Sequence, residues 1–132
     1  MNIDFSSPQV MAILNVTPDS FYAGSRMPEL EAVERRVRVA LDEGASLIDV
    51  GGYSSRPGAD EVPTEEEWRR VALGVETVRR LAPGMTVSVD TFRSEEVSRT
   101  VEAFGAVVVN DISAGELDAK MLETTFPTWR CT

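Results

Sequence analysis

Four short apolar runs in this chain each end in side chains able to do chemistry. The first finishes in Asn15-Val16-Thr17-Pro18-Asp19-Ser20. The second finishes in Asp49-Val50-Gly51-Gly52, with Ser54-Ser55-Arg56-Pro57-Gly58 close behind. The third finishes in Asp90-Thr91 and the fourth in Asn110-Asp111. Asp90 and Asn110 together offer an acceptor carboxylate and a donor–acceptor amide. Such a pair suits a flat heterocycle with alternating N–H and N groups. Ser54, Ser55 and Arg56, in a loop flanked by glycine, suit a phosphate, because arginine binds it bidentately and hydroxyls add donors. Asn15 is a neutral oxygen ligand compatible with Mg²⁺, which commonly bridges to substrate phosphates. The residue types therefore point to a phosphorylated heterocycle.

Each residue also has a structural reading. Asn15 and Asp19 could be turn formers beside Pro18. Asp49 precedes a Gly-Gly pair and could brace that turn, the role we favour for it taken alone. Arg56 could be a solvated loop charge. Asp90 and Asn110 could cap the helices that follow them. The joint pattern, four successive runs ending in Asn, Asp/Ser/Arg, Asp and Asn, shifts the weight toward function.

Elements that would bring these ends together are legible. The runs Val10 to Leu14, Leu47 to Val50, Met85 to Val89 and Ala106 to Val109 are rich in Val and Ile and show little alternation. That suits strands of a parallel sheet buried on both faces. Between the first two, Leu30, Val33, Val37 and Leu41 fall at helical spacing after Pro28, and Gly44 suits the residue just past a helix end. Thr64 and Glu67 read as a capping box opening a second helix. Its core face would hold Trp68, Val71, Val75, Val78 and Leu81, before Pro83-Gly84 ends it. Ser94 would cap a third helix with Val97, Val101 and Phe104 inward, stopped by Gly105. A fourth would start near Glu116, around Leu117 and Met121. The order β-α-β-α-β-α-β-α predicts a parallel sheet with helical crossovers, whose C-terminal strand ends form one rim.

Composition narrows the function class. The chain has 132 residues, 42% hydrophobic and 27% charged, ordinary for one globular domain. With 13 basic and 22 acidic residues, the formal net charge is −9. That argues against nucleic-acid or anionic-membrane partners, whose phosphates would be repelled. No apolar run approaches the ~20 residues that span a bilayer, and no basic stretch marks a signal peptide. The single cysteine, Cys131, permits no internal disulfide and fits a reducing cytoplasm.

Four segments together resemble dihydropteroate synthase, the sulfonamide target of folate biosynthesis. They are Ile13-Leu14-Asn15-Val16-Thr17-Pro18-Asp19-Ser20-Phe21, Asp49-Val50-Gly51-Gly52 with Ser55-Arg56-Pro57-Gly58, Ser88-Val89-Asp90-Thr91, and Val109-Asn110-Asp111-Ile112-Ser113. They stand in the family's order at family-like intervals, and the resemblance covers about residues 10 to 123. The Thr17-to-Phe21 segment discriminates against another pterin-binding barrel, the methyltetrahydrofolate-binding module of corrinoid methyltransferases.

The resemblance implies a (β/α)₈ barrel that condenses 6-hydroxymethyl-7,8-dihydropterin diphosphate with 4-aminobenzoate. The products are 7,8-dihydropteroate and pyrophosphate. It implies that Asn15 helps hold an Mg²⁺–diphosphate. Ser55 and Arg56 would lie on a loop near the diphosphate and the aminobenzoate. Asp90 and Asn110 would grip the pterin edge, and Ile112 would line the pterin pocket. Arg56 and Asp90 would act in catalysis. Loss of pyrophosphate would leave a cationic pterin methylene for the arylamine to attack, with metal and arginine stabilising the leaving group.

Two positions depart from the family's pattern. Ala23 stands where the first loop usually carries Asp, and Tyr53 replaces the usual Glu after Gly51-Gly52. A whole barrel needs about 250 residues, so the expected fold is α/β, the N-terminal half, about four βα units, of a (β/α)₈ barrel. Residues 1 to 123 form the expected partial pterin-binding domain. Thr124 to Thr132 lack helical period and resemble the tail that a frameshift or premature stop would produce. The family is homodimeric, through contacts generally attributed to its other half. The alternative to the enzyme is a non-catalytic half-barrel fragment of it.

Overall fold

The computed structural model describes residues 3–18, 28–54 and 57–126. Its strands are β1 (Met11–Asn15), β2 (Leu47–Gly51), β3 (Thr86–Asp90) and β4 (Val108–Asn110). Helices α1 (Glu29–Asp42), α2 (Thr64–Leu81), α3 (Ser94–Phe104) and α4 (Met121–Thr125) alternate with them. All neighbouring strands are parallel and the sheet order is β1-β2-β3-β4. Among the described residues no helix is long and apolar enough to cross a membrane.

The sheet has two unlike faces. Leu14, Ile48, Val50, Val87 and Val89 point toward the helices and pack with Val33, Val37, Val71, Val75 and Val78. Gly74 brings α2 onto the sheet, since a Cβ there would stand 2.5 Å from Val50 Cγ1. The opposite face carries the alternate residues. There Met11 is 44% and Ile13 54% exposed, while Asp49 and Ser88 are buried. The central strands β2 and β3 are thus buried on both faces, as their lack of alternation suggests, whereas β1 is exposed on its second face at Met11 and Ile13 and β4 is only half-buried. The helices close one face, and the other is covered only at its centre.

Three local expectations need correction. Neither Thr64 nor Ser94 is a cap: each is the first helical residue, after Pro63 and Arg93, with no side-chain cap bond. Glu67 is drawn into the interior by stronger partners, described below. The Ser94 N–H is satisfied from a distant segment, donating to Asp118 Oδ2 at 2.7 Å. The fourth helix begins at Met121, not near Glu116. Asp111 explains this, because it accepts from the N–H groups of Ser113 and Gly115, both at 2.8 Å. Those bonds hold a turn in which Ala114 has φ 53° and Gly115 φ 85°, incompatible with a helix. Two expected core residues, Leu30 and Val101, are 46% and 45% exposed. In α3 the buried stripe instead runs through Ser94, Glu96, Val97 and Thr100. Helix α4 runs through Thr125, and residues 127–132 lie outside the described residues.

Candidate functional site

The parallel register aligns the strand ends. Asn15 pairs with Gly51, Gly51 with Asp90, and Asp90 with Asn110. Side chains alternate along strands, so residues in one register row share a face. Asn15, Asp90 and Asn110 therefore stand in line at the C-terminal rim. Gly51 leaves the space between the first two. A Cβ there would meet Asn15 Oδ1 at 3.5 Å and Asp90 Oδ2 at 3.6 Å.

One residue pair lower, Asp49 lies on the same face and is 3% exposed. It does not brace the Gly-Gly turn. Its Oδ2 accepts from Asn110 Nδ2 at 3.1 Å, and its Oδ1 has no hydrogen-bond partner. Nor do Asp90 and Asn110 cap helices, since α3 starts at Ser94 and α4 at Met121. These side chains instead line a cavity of about 240 Å³ together with Met11, Ile13, Tyr53 and Ser54. Polar side chains beside a few apolar ones suit a planar polar ligand.

The site is electronegative. Burial, and then the charges of Asp49, Glu67 and Asp111, push the Asp90 carboxyl up from its ordinary 3.8 to about 6. Among the described residues no arginine or lysine bonds to Asp49 or Asp90. A group offering N–H donors or positive charge would relieve this repulsion.

Tyr53 stands on the cavity wall, its ring 5.3 Å from that of Phe92 in an edge-to-face contact. The Arg93 guanidinium lies 4.9 Å above the same Phe92 ring. Arg93 in turn pairs with Glu67, which is fully buried and accepts from Thr91 Oγ1 at 2.9 Å. This anchor under the β3 end is a part of the site that motif reading missed. The available signal was Glu67 itself. It stands one helical turn before Val71 on the apolar stripe of α2, where a charge needs a partner.

Of the expected site residues, the structure brings Asn15, Asp90 and Asn110 together. Ile112 is 79% exposed and is not among the residues lining the cavity. Ser55 and Arg56 lie outside the described residues, as does the segment from Asp19 through Ala23. Among the described residues no cluster of three or more His, Cys, Asp or Glu is arranged to hold a metal. The donors that face the Gly51 gap, an amide oxygen and a carboxylate, are nonetheless hard oxygens. Mg²⁺ keeps several waters and is commonly bound through one or two such protein groups plus phosphates. The donor set fits that mode.

Residues 11–126 match the family model described as pterin binding enzyme. The dihydropteroate synthase of Staphylococcus haemolyticus is 43% identical over 115 residues, covering 87% of this chain and 42% of that protein. The Xanthomonas albilineans dihydropteroate synthase solved with 4-aminobenzoic acid aligns with TM-score 0.82 at 41% identity. That alignment covers 95% of this chain and 45% of the other. The same organism's enzyme in complex with 7,8-dihydropteroate gives TM-score 0.75 at 36% identity, over 95% and 44% of the two chains. The chain thus spans less than half the length of these relatives. Its four βα units are half of an eight-unit barrel.

Proposed function

The chain belongs to the pterin-binding enzyme family, and we propose that it supplies the pterin-holding half of a dihydropteroate synthase site. The reaction would be condensation of 6-hydroxymethyl-7,8-dihydropterin diphosphate with 4-aminobenzoate, giving 7,8-dihydropteroate and pyrophosphate. The observation that carries this reading is the aligned row of Asn15, Asp90 and Asn110 around one cavity. Solved relatives with 4-aminobenzoic acid and with 7,8-dihydropteroate support the choice of ligands.

The chain's own groups divide the work. Asp90 accepts N–H donors from the ring and, ionised, offsets positive charge that spreads into the pterin as pyrophosphate leaves. Asn110 fixes the ring edge by its amide. The missing side chain at Gly51 leaves room for the ligand. Ser55 and Arg56, on sequence grounds, receive the diphosphate and order the second substrate, with arginine stabilising the leaving oxygens. Asn15, beside Asp90, would hold Mg²⁺, which neutralises diphosphate charge when bound.

A second reading, consistent with this chain aligning to 45% of the Xanthomonas structure, is a half-barrel that binds without turnover. One experiment separates the two and tests both. Purified wild type, Asp90→Asn and Arg56→Ala are titrated calorimetrically with the pterin diphosphate and assayed for dihydropteroate formation. Asp90→Asn replaces an acceptor-only group by a mixed one, so binding should weaken by about 1–3 kcal/mol. Arg56→Ala should keep most pterin affinity and lose aminobenzoate-dependent steps. Binding without turnover selects the second reading. Loss of pterin affinity in Arg56→Ala with retention in Asp90→Asn overturns the assignment of strand ends to the pterin.

A further inference from the structure

Asp49 is the residue of this site whose role lies furthest from its sequence context. It stands inside a run of apolar residues, between Ile48 and Val50, and is 3% exposed. Its partner Asn110 is not on a neighbouring strand, because β3 lies between β2 and β4. The residue of β3 in register with Asp49 is Ser88. That small side chain lets the Asp49–Asn110 bond pass across the sheet at 3.1 Å. A larger residue at Ser88 would fill that path.

A carboxylate only accepts hydrogen bonds, so an amide beside it must turn its NH₂ toward it. The contact with Asp49 therefore settles which way the Asn110 amide faces. Nδ2 is turned to Asp49, and Oδ1 is left as an acceptor for whatever enters the cavity. Asp49 Oδ1, buried and unpartnered, adds a further acceptor to a wall that already holds Asp90.

We propose that Asp49 is a positioning residue that locks the Asn110 amide with its oxygen presented to the ligand. The site thereby selects a heterocycle edge made of adjacent N–H donors, an exocyclic amine next to a ring N–H, over an edge that carries a carbonyl in the amine's place. This rests on the proposed function for the class of ligand, but not for the state of the amide.

The test has a ligand-free arm and a ligand arm. In the ¹⁵N-labelled wild-type chain, the Asn110 side-chain amide is assigned by its disappearance in Asn110→Asp. One of its protons should exchange with water at least about tenfold more slowly than an exposed asparagine's. Asp49→Ala should abolish that protection. In the ligand arm, pterin is compared with lumazine, its 2-oxo analogue. Wild type should prefer pterin, and Asp49→Asn should reduce the preference by about tenfold, because an amide pair has two orientations of similar energy. An unprotected Asn110 amide in the wild type overturns the proposal whether or not any variant folds. So does an Asp49→Asn protein in which both affinities fall together and the preference stays. If wild type binds neither compound, the function reading fails and the exchange data alone decide the role of Asp49.

Discussion

Glu67 of α2 and Arg93 of the turn after β3 form an ion pair in which the carboxylate is fully buried and the guanidinium is 16% exposed. The pair is embedded in further bonds. Thr91 Oγ1 donates to Glu67 at 2.9 Å, and Arg93 donates to the Val62 carbonyl at 2.7 Å. Helix α2, the Val62 segment and the end of β3 are thus fastened directly behind Asp90.

Breaking this pair from one side should be costly. Glu67→Ala leaves a guanidinium without its counterion in a mostly buried place, and one-sided loss of a buried pair typically costs about 3–5 kcal/mol. The double variant Glu67→Leu/Arg93→Met should recover much of that loss. Urea denaturation of the variants measures it. The exposed pair Arg69–Glu29, 50% and 37% exposed, is the control, and Arg69→Ala should cost less than about 1 kcal/mol. Equal losses in Glu67→Ala and Arg69→Ala would show that burial of the carboxylate does not matter.

Two glycines should separate binding from folding. A methyl on Gly51 would make ordinary contacts, 3.5 Å from both Asn15 Oδ1 and Asp90 Cβ. Gly51→Ala should therefore fold with less than about 1 kcal/mol of change and yet weaken pterin binding by occupying the gap. A methyl on Gly74 would stand 2.5 Å from Val50 Cγ1. Gly74→Ala should cost about 1–3 kcal/mol by overpacking. Thermal melts beside ligand titrations read both, and a Gly51→Ala protein with wild-type affinity would remove that glycine from the site.

Glu96 should make stability pH-dependent. It is fully buried and neither carboxylate oxygen has a hydrogen-bond partner. Burial first, and then the charge of Glu67, push its carboxyl up from 4.5 to about 7. The folded chain therefore holds this proton more tightly than the unfolded chain. The contribution of Glu96 is most favourable below about pH 4.5 and is lost as pH rises toward 7. Glu96→Gln should gain stability on wild type as pH rises from 5 to 8, by about 1–3 kcal/mol. Denaturation midpoints of both proteins across that range test it, and a difference that stays flat with pH would refute it.

The open face should associate. Met11 and Ile13 are 44% and 54% exposed there, and β1 and β4 form the two edges of the sheet. Unpaired edges and exposed apolar surface promote pairing with other chains. Residues 1–132 alone should run as dimers or larger in light scattering, and Ile13→Lys should shift them toward monomer. A sharp monomeric peak with cooperative unfolding in the wild type would contradict this.

Much of the architecture was legible in the sequence because it depends on short-range patterns. Val- and Ile-rich runs separated by helical periodicity gave four βα units, and each strand lies within a residue or two of its apolar run. Asn15, Asp90 and Asn110 were visible as polar residues closing those runs, since parallel strands deliver their ends to one rim. Asp49 reads locally as a turn brace and Glu67 as the partner of Thr64 in a capping box, and the structure gives them neither role. Both sit next to local motifs that would explain them cheaply. Their actual partners, Asn110 and Arg93, lie on other elements.

By itself, then, the sequence determined the element order, the parallel sheet and the family, because periodicity, turn chemistry and motif spacing are all local properties. Only the tertiary structure decided how those residues face one another. Register put Asn15, Gly51, Asp90 and Asn110 in one row. The small Ser88 let Asp49 reach Asn110 across an intervening strand. Burial raised the Asp90 and Glu96 carboxyls. Each of these depends on what stands across a gap between elements distant in the chain, and no local pattern carries that information.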